Sequence, residues 1–409
     1  MASALRPVGW AAFIAGALLV GGWAQAGEIA TPEALGEALF FDTNLSKNRT
    51  QACASCHAPD AAFTDPREGA AGQAVSVGDD GRSLGDRNAP SAGYARFSPA
   101  FGKSRKPGFY RGGQFHDGRA GSLEEQAGGP PLNPAEMGMA SKAEVVARLK
   151  ENPAYVSAFE ALYGRSVFRS AARAYEAMTK AIAAFERTDA FAPFDSKYDR
   201  YLKGEEKLTD QEELGRVLFF SKQFTNCALC HQLNAQGGTA GETFSNYEFH
   251  NIGVPANPDL AAAGAVKAPD LGLARNPKVK DKKAQAGRFK VPGLRNVAVT
   301  GPYMHNGVFK DLRTVILFYN TFNTANPKRK VNPETGVPFA SPEVPGTLSL
   351  KELETGPALD DRRIDALVAF LETLTDKRYE PMMEERRAAR AAAKAATARP
   401  VAPQAAAGR

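Results

Sequence analysis

Tryptophan is confined to Trp10 and Trp23, so beyond its first 26 residues the chain has none. Those 26 residues hold one cation, Arg6, an apolar run from Trp10 to Val20, and Ala24-Gln25-Ala26. A charged start, an apolar middle and a small-x-small end make a cleaved secretory signal. The run falls short of the roughly 20 residues that cross a bilayer and is broken by Gly16, which argues against stable membrane insertion. Residues 1–26 are therefore expected to be removed, leaving a periplasmic chain that starts near Gly27. Cysteine is also scarce. All four cysteines sit in two copies of one short motif, with none over for the disulfides that exported proteins commonly use.

Excess charge is missing from the body of the protein. Of the six net positive charges, Arg6 contributes one and residues 376–409 four, with eight Lys or Arg against four Asp or Glu. The basic balance thus lies in an Ala-rich tail without interleaved aromatics, and nucleic acid is not an expected partner. Residues 381–409 read as a solvated, disordered tail. The hydrophobic fraction of 43% is that of a globular protein, and the length is enough for two domains with cores of their own.

The repeated motif is Cys53-Ala-Ser-Cys56-His57 and Cys227-Ala-Leu-Cys230-His231. Two thiols at this spacing capture the vinyl groups of a haem as thioethers, and the next residue presents an imidazole to its iron. A zinc site or a redox dithiol needs no histidine there, let alone twice. Before each motif stands a similar stretch, Leu35-Gly-Glu-Ala-Leu-Phe-Phe41 and Leu214-Gly-Arg-Val-Leu-Phe-Phe220, read as a short helix delivering a double phenylalanine towards a haem. Helical spacing recurs over 142–149, 171–186, 314–320 and 362–373. Residues 191–204 read as the crossing between halves, whereas 60–135 and 234–300 read as long loops of the kind that build sites. The expectation is a mainly α protein of two cytochrome c-like haem domains, 27–195 and 196–380, related by an internal repeat.

Further motifs are Ala62-Phe-Thr-Asp65, Arg87-Asn-Ala-Pro-Ser91, Phe115-His-Asp-Gly-Arg119, Gln126-Ala-Gly-Gly-Pro130, Phe249-His-Asn-Ile-Gly253, Pro292-Gly-Leu-Arg-Asn296 and Gly301-Pro-Tyr-Met-His-Asn-Gly307. Together they resemble the bacterial di-haem cytochrome c peroxidases and MauG-like proteins over nearly the whole mature chain, apart from the tail and an insertion around 262–288. The resemblance implies a peroxide-reacting first haem and an electron-relaying second one. Reductively activated members have a distal histidine after the first motif; this chain has none from Ala58 to Phe115, so its first haem is expected to be open without activation. Matching positions place Gln126, Pro130 and Glu136 in the distal pocket, with Glu136 as acid-base. Fourteen residues after His305, Tyr319 matches the second haem's axial ligand, which is methionine in ordinary peroxidases and tyrosine in MauG-like members.

The same resemblance implies one calcium ion held by the Asn88 side chain and the main-chain carbonyls of Thr300 and Pro302. It places His250 and His305 on haem propionates or as loop braces. His116 stands where the family usually has a tryptophan between the haems, and Thr225-Asn226 where MauG-like members place an exit tryptophan. The implied reaction is oxidation of the first haem by hydrogen peroxide, with electrons relayed through the second. The donor is a small cytochrome c or cupredoxin, or a residue of a protein substrate, and the chain acts as a monomer or homodimer. Detoxification by a conventional cytochrome c peroxidase and plain electron carriage by two six-coordinate haems are the alternatives.

Overall fold

The computed structural model describes residues 29–232, 239–354 and 356–398. The expected signal, residues 1–26, lies outside them. The first half contains α1 (Pro32–Phe40), α2 (Cys53–Cys56), α3 (Leu123–Ala127), α4 (Lys142–Lys150), α5 (Pro153–Tyr163) and α6 (Ala171–Glu186). Then follow α7 (Lys197–Leu202), α8 (Asp210–Phe220), α9 (Cys227–Cys230), α10 (Pro258–Ala262) and α11 (Lys282–Gln285). The last four are α12 (Leu312–Asn320), α13 (Leu350–Leu353), α14 (Asp361–Glu372) and α15 (Glu380–Ala398). The protein is mainly α.

Local chemistry sets where these helices begin. Thr31 Oγ1 accepts from Ala34 N ahead of Pro32, and Thr209 and Glu212 form a reciprocal capping box at the start of α8. The helix read from Thr314 begins two residues earlier, because Asp311 accepts from Arg313 N and caps it. The stretch read as a crossing, 191–204, contains α7.

Two helix pairs carry the two main cores. Leu35, Leu39 and Phe40 of α1 pack against Met178, Ala181 and Ile182 of α6. Leu218 and Phe219 of α8 pack against Leu367, Phe370 and Leu371 of α14. Each pair meets at a glycine: a Cβ on Gly36 would lie 1.9 Å from the Ala181 carbonyl oxygen, and one on Gly215 would lie 1.9 Å from that of Ala366. The two residues of each double phenylalanine are not equivalent. Phe40 and Phe219 are buried, but Phe41 is 46% exposed, since consecutive helical residues point about 100° apart and only one can face the core.

Short strands stitch the loops. Gly102–Lys103 (β1) pairs antiparallel with Tyr110–Arg111 (β2), and Phe249–His250 (β3) with Phe289–Lys290 (β4). An isolated bridge between Arg111 and Glu248 joins the two loop systems. The tail also departs from the expectation of disorder. Residues 380–398 form α15, seated on the second core by Met383, with Arg387 and Arg390 paired to the buried Glu372. Alanine is the best helix former, and the paired arginines give that helix a place to dock. Residues 399–409 lie outside the described residues. Among the described residues no helix is long and apolar enough to cross a membrane.

The close approach at Gly215 makes a test. Gly215→Ala should destabilise the protein by about 1–3 kcal/mol through overpacking, read from denaturant unfolding; wild-type stability would show that α8 and α14 do not meet through this glycine.

Candidate functional site

Each Cys-x-x-Cys-His unit is a single helical turn that ends in its histidine. His57 N donates to Cys53 O at 3.0 Å, and His231 N to Cys227 O at 2.8 Å. The imidazoles are then fixed by main-chain carbonyls: His57 Nδ1 lies 3.2 Å from Phe63 O, and His231 Nδ1 lies 3.1 Å from Phe244 O. With Nδ1 as donor, Nε2 is left with a lone pair that could bind a metal. Phe63 (φ 57°) and Phe244 (φ 57°) are both left-handed, a conformation that costs a non-glycine residue about 1 kcal/mol and that turns each carbonyl back onto its histidine. Burial lowers the pKa of His57 and brings that of His231 down to about 4, so both rings are neutral, as metal ligation requires.

Around the second motif lies a cavity of about 420 Å³. Cys227, Cys230 and His231 line it, and so does Tyr319 from α12. Burial pushes the Tyr319 phenol up, and both cysteines add to that shift. The cavity runs on to His116, Asn88, Thr300 and Pro302, so the residues expected between the haems share one wall. His116 Nε2 lies 2.9 Å from Asn88 O, and Asn88 N donates to His305 O at 2.7 Å. His305 stacks on Phe289 at 3.6 Å. Beside them Arg87 is buried between Asp117 (2.8 Å) and Asp270 (2.5 Å).

Among the described residues, two atoms of the cavity wall are orphaned. His250 Nε2 and His305 Nε2 are buried without a hydrogen-bond partner, and the nearest carboxylates, Glu248 at 3.8 Å and Glu343 at 3.9 Å, are too far to bond. An unmet buried polar atom is costly, and propionate oxygens would satisfy these two. The thiol, imidazole and phenol donors and the polar rim therefore fit a haem.

At the first motif both thiols are buried. Burial pushes Cys53 up to about 12 and Cys56 up to about 11, and the Glu136 charge contributes to each. Glu136 is itself raised by burial, against the pull of Arg119 and Asn133. Gln126 lies in the last turn of α3, Gly129 N donates to Gln126 O, and Met137 N reaches back to Pro130 O, so Gln126, Pro130 and Glu136 lie on one folded stretch. Sequence reasoning missed Glu186. It is 7% exposed at the end of α6, raised to about 8 by burial, and it acts on Cys53 more strongly than Glu136 does. Its position as the last residue of an apolar helical repeat gave no sign of burial. Phe63 and Phe244 were also missed as orienting residues, although Ala62-Phe-Thr-Asp65 and Thr243-Phe-Ser-Asn246 follow the two motifs in parallel.

With this geometry in hand, comparison with known proteins is decisive. Residues 30–207 match the model of the di-haem cytochrome c peroxidase family. The methylamine utilization protein MauG of Paracoccus denitrificans is 58% identical over 358 residues, covering 87% of this chain and 91% of that protein. The chain belongs to the di-haem cytochrome c peroxidase/MauG family. The cytochrome c peroxidase Ccp of Escherichia coli is 37% identical over 275 residues, 67% of this chain and 50% of that one. The diheme peroxidase BthA of Burkholderia thailandensis superposes with a TM-score of 0.74 at 35% identity, covering 85% of this chain and 86% of that one. This family member is thus a peroxidase-type oxidoreductase whose cofactors are two haems.

The Arg87 cluster supplies the test for this region. Asp117→Asn should cost about 3 kcal/mol of stability, because a buried guanidinium loses one of its counter-charges; an unchanged thermal midpoint would show that Asp270 alone suffices.

Proposed function

We propose that the chain is a periplasmic, MauG-like di-haem peroxidase with both haems covalently attached, one through Cys53 and Cys56 with His57 as ligand, the other through Cys227 and Cys230 with His231. The observation that carries the reading is Tyr319, which faces the same cavity as Cys227, Cys230 and His231. His231 and Tyr319 would hold the second haem's iron, and a phenolate ligand would stabilise its oxidised states, whereas a thioether would favour the reduced one. Haem supplies the redox chemistry; the polypeptide's part is to orient, protonate and insulate.

At the first site Glu136 is the acid-base. Its carboxylate would take a proton from one peroxide oxygen and hand it to the other, while the Gln126 amide would orient the peroxide and Pro130 keep the distal side apolar; the electrons for O–O cleavage would come from the haem when bound. No histidine occurs between Ala58 and Phe115 to block that side. Asn88, Thr300 and Pro302 offer hard oxygen donors to a calcium ion. His116, bonded to the Asn88 carbonyl, ties this ion site to the path between the haems. In the same reading the two halves are copies of one haem-binding unit. The parallel glycine contacts of Gly36 and Gly215 and the paired left-handed Phe63 and Phe244 support it.

Hydrogen peroxide is the oxidant and a protein is the electron source. Thr225, where MauG-like members carry an exit tryptophan, is buried and bonded to Leu218 O. That detail favours a small cytochrome c or cupredoxin as the donor over oxidation of a residue in a large substrate protein, and gives the conventional peroxidase as the second reading.

Electron paramagnetic resonance of the oxidised holoprotein should show one high-spin and one low-spin haem, both signals vanishing with one equivalent of peroxide; two low-spin signals indifferent to peroxide would make it an electron carrier. Glu136→Gln should slow peroxide cleavage about 10²–10⁴-fold. Since the reaction begins with an ionised Glu136 whose pKa is raised, the wild-type rate should fall with acidification at a pH above the ordinary carboxylate range, and the variant should lose that limb. Tyr319→Met should raise the potential of the second haem in a redox titration, and an unmoved potential would take Tyr319 off the iron.

A further inference from the structure

Past its first 26 residues the chain has no tryptophan, and imidazole at His116 is hard to oxidise, so its most easily oxidised aromatic side chains are tyrosines. Four of them, Tyr94, Tyr247, Tyr303 and Tyr319, line the cavity. Tyr319 is assigned to the iron. Tyr247 donates to the Thr243 hydroxyl at 2.9 Å and Tyr303 to the Val297 carbonyl at 3.0 Å, neither of which takes up a proton. Tyr94 differs: its hydroxyl donates to Asp376 Oδ1 at 2.6 Å.

The pair is buried and joins the two halves of the chain, with Tyr94 5% and Asp376 0% exposed. Asp376 Oδ2 accepts from Asn296 Nδ2 at 2.8 Å, so both oxygens act as acceptors and the group is a carboxylate. Burial makes it a stronger base than a solvated carboxylate, and burial with Asp376 keeps the Tyr94 phenol protonated at rest. The Arg295 guanidinium lies 5.5 Å over the Tyr94 ring. A fixed cation there disfavours a tyrosine radical cation, so loss of an electron from this ring has to be accompanied by loss of its proton. The acceptor is in place, and Phe194 N donates to the same phenol oxygen at 3.2 Å to hold it.

We propose that Tyr94 is a redox-active residue of the peroxidase, with Asp376 as its proton acceptor. The inference rests on the peroxidase reading above. When no external donor is docked, the Tyr94 phenol gives one electron to the peroxide-oxidised haem pair and its proton passes to Asp376 Oδ1. The haem pair is reduced by one electron, and a neutral tyrosyl radical beside a carboxylic acid remains. Tyr94 thereby serves as a store or relay of oxidising equivalents where the family's tryptophan is missing.

The test uses the holoprotein with ring-deuterated tyrosine, frozen at intervals after one equivalent of peroxide with no donor added, alongside optical spectra of the haems. Wild type should develop a free-radical resonance that narrows on tyrosine deuteration. Tyr94→Phe, which keeps the ring and its packing, should lose the resonance while the haem spectra still respond to peroxide, and the oxidised haem state should last longer. The same radical in Tyr94→Phe, or no tyrosine radical in a wild type whose haems respond, would overturn the proposal and leave the peroxidase reading standing. Haem spectra indifferent to peroxide would overturn both.

Discussion

Everything in this protein depends on holding two imidazole rings by one nitrogen so that the other is free. The hydrogen bonds from His57 to Phe63 O and from His231 to Phe244 O do this, and each needs its carbonyl turned against the local course of the chain. A phenylalanine in the left-handed region is a costly way to achieve it. The cost is tolerable because the large side chain anchors the turn in each core: Phe63 stacks on Phe191 at 4.1 Å, and Phe244 packs among Tyr198, Phe219 and Phe370. Glycine would relieve the strain and lose the anchor. The helix pairs α1–α6 and α8–α14 supply those cores, which is why their glycine contacts matter so far from any chemistry.

Between the two cores the protein uses charge. Arg295 is buried against Asp199 at 2.5 and 2.9 Å, and its guanidinium also lies over the rings of Tyr94, Phe194 and Phe244. Arg87 bridges Asp117 and Asp270, drawing the 262–288 segment onto the region around His116. Buried ion pairs of this sort repay their desolvation only with good geometry, and they tolerate little displacement. They suit a place where two cofactor sites must keep a fixed separation.

What was legible in the sequence was mostly local. Two Cys-x-x-Cys-His units point to haem, the cofactor of the family, and helices such as α6 and α14 show their buried stripe at 3.6-residue spacing. The link between Tyr319 and its cavity was reachable only through resemblance, because a tyrosine between Phe318 and Asn320 on an apolar helix carries no mark of its own. Burial of single side chains was harder still. Glu186 and Phe41 both end apolar helical stretches, yet the acid is buried and the aromatic exposed, since rotation about the helix axis and the neighbouring loop, not residue type, decide which way a terminal residue faces. The tail departs from its reading for a related reason: its alanines and arginines look solvated until Arg387 and Arg390 are seen to pair with the buried Glu372, more than ten residues earlier.

That last contact bears on the order in which the molecule can be completed. Glu372 belongs to α14, in the heart of the second core, but the arginines that pair with it, Arg387 and Arg390, lie near the end of the chain. The first half has its principal core in hand once Phe191 has emerged. A polypeptide that appears from its N-terminus onward can therefore settle the first core early, while in the second Glu372 waits for Arg387 and Arg390 to emerge. The two cores are thus completed at different times.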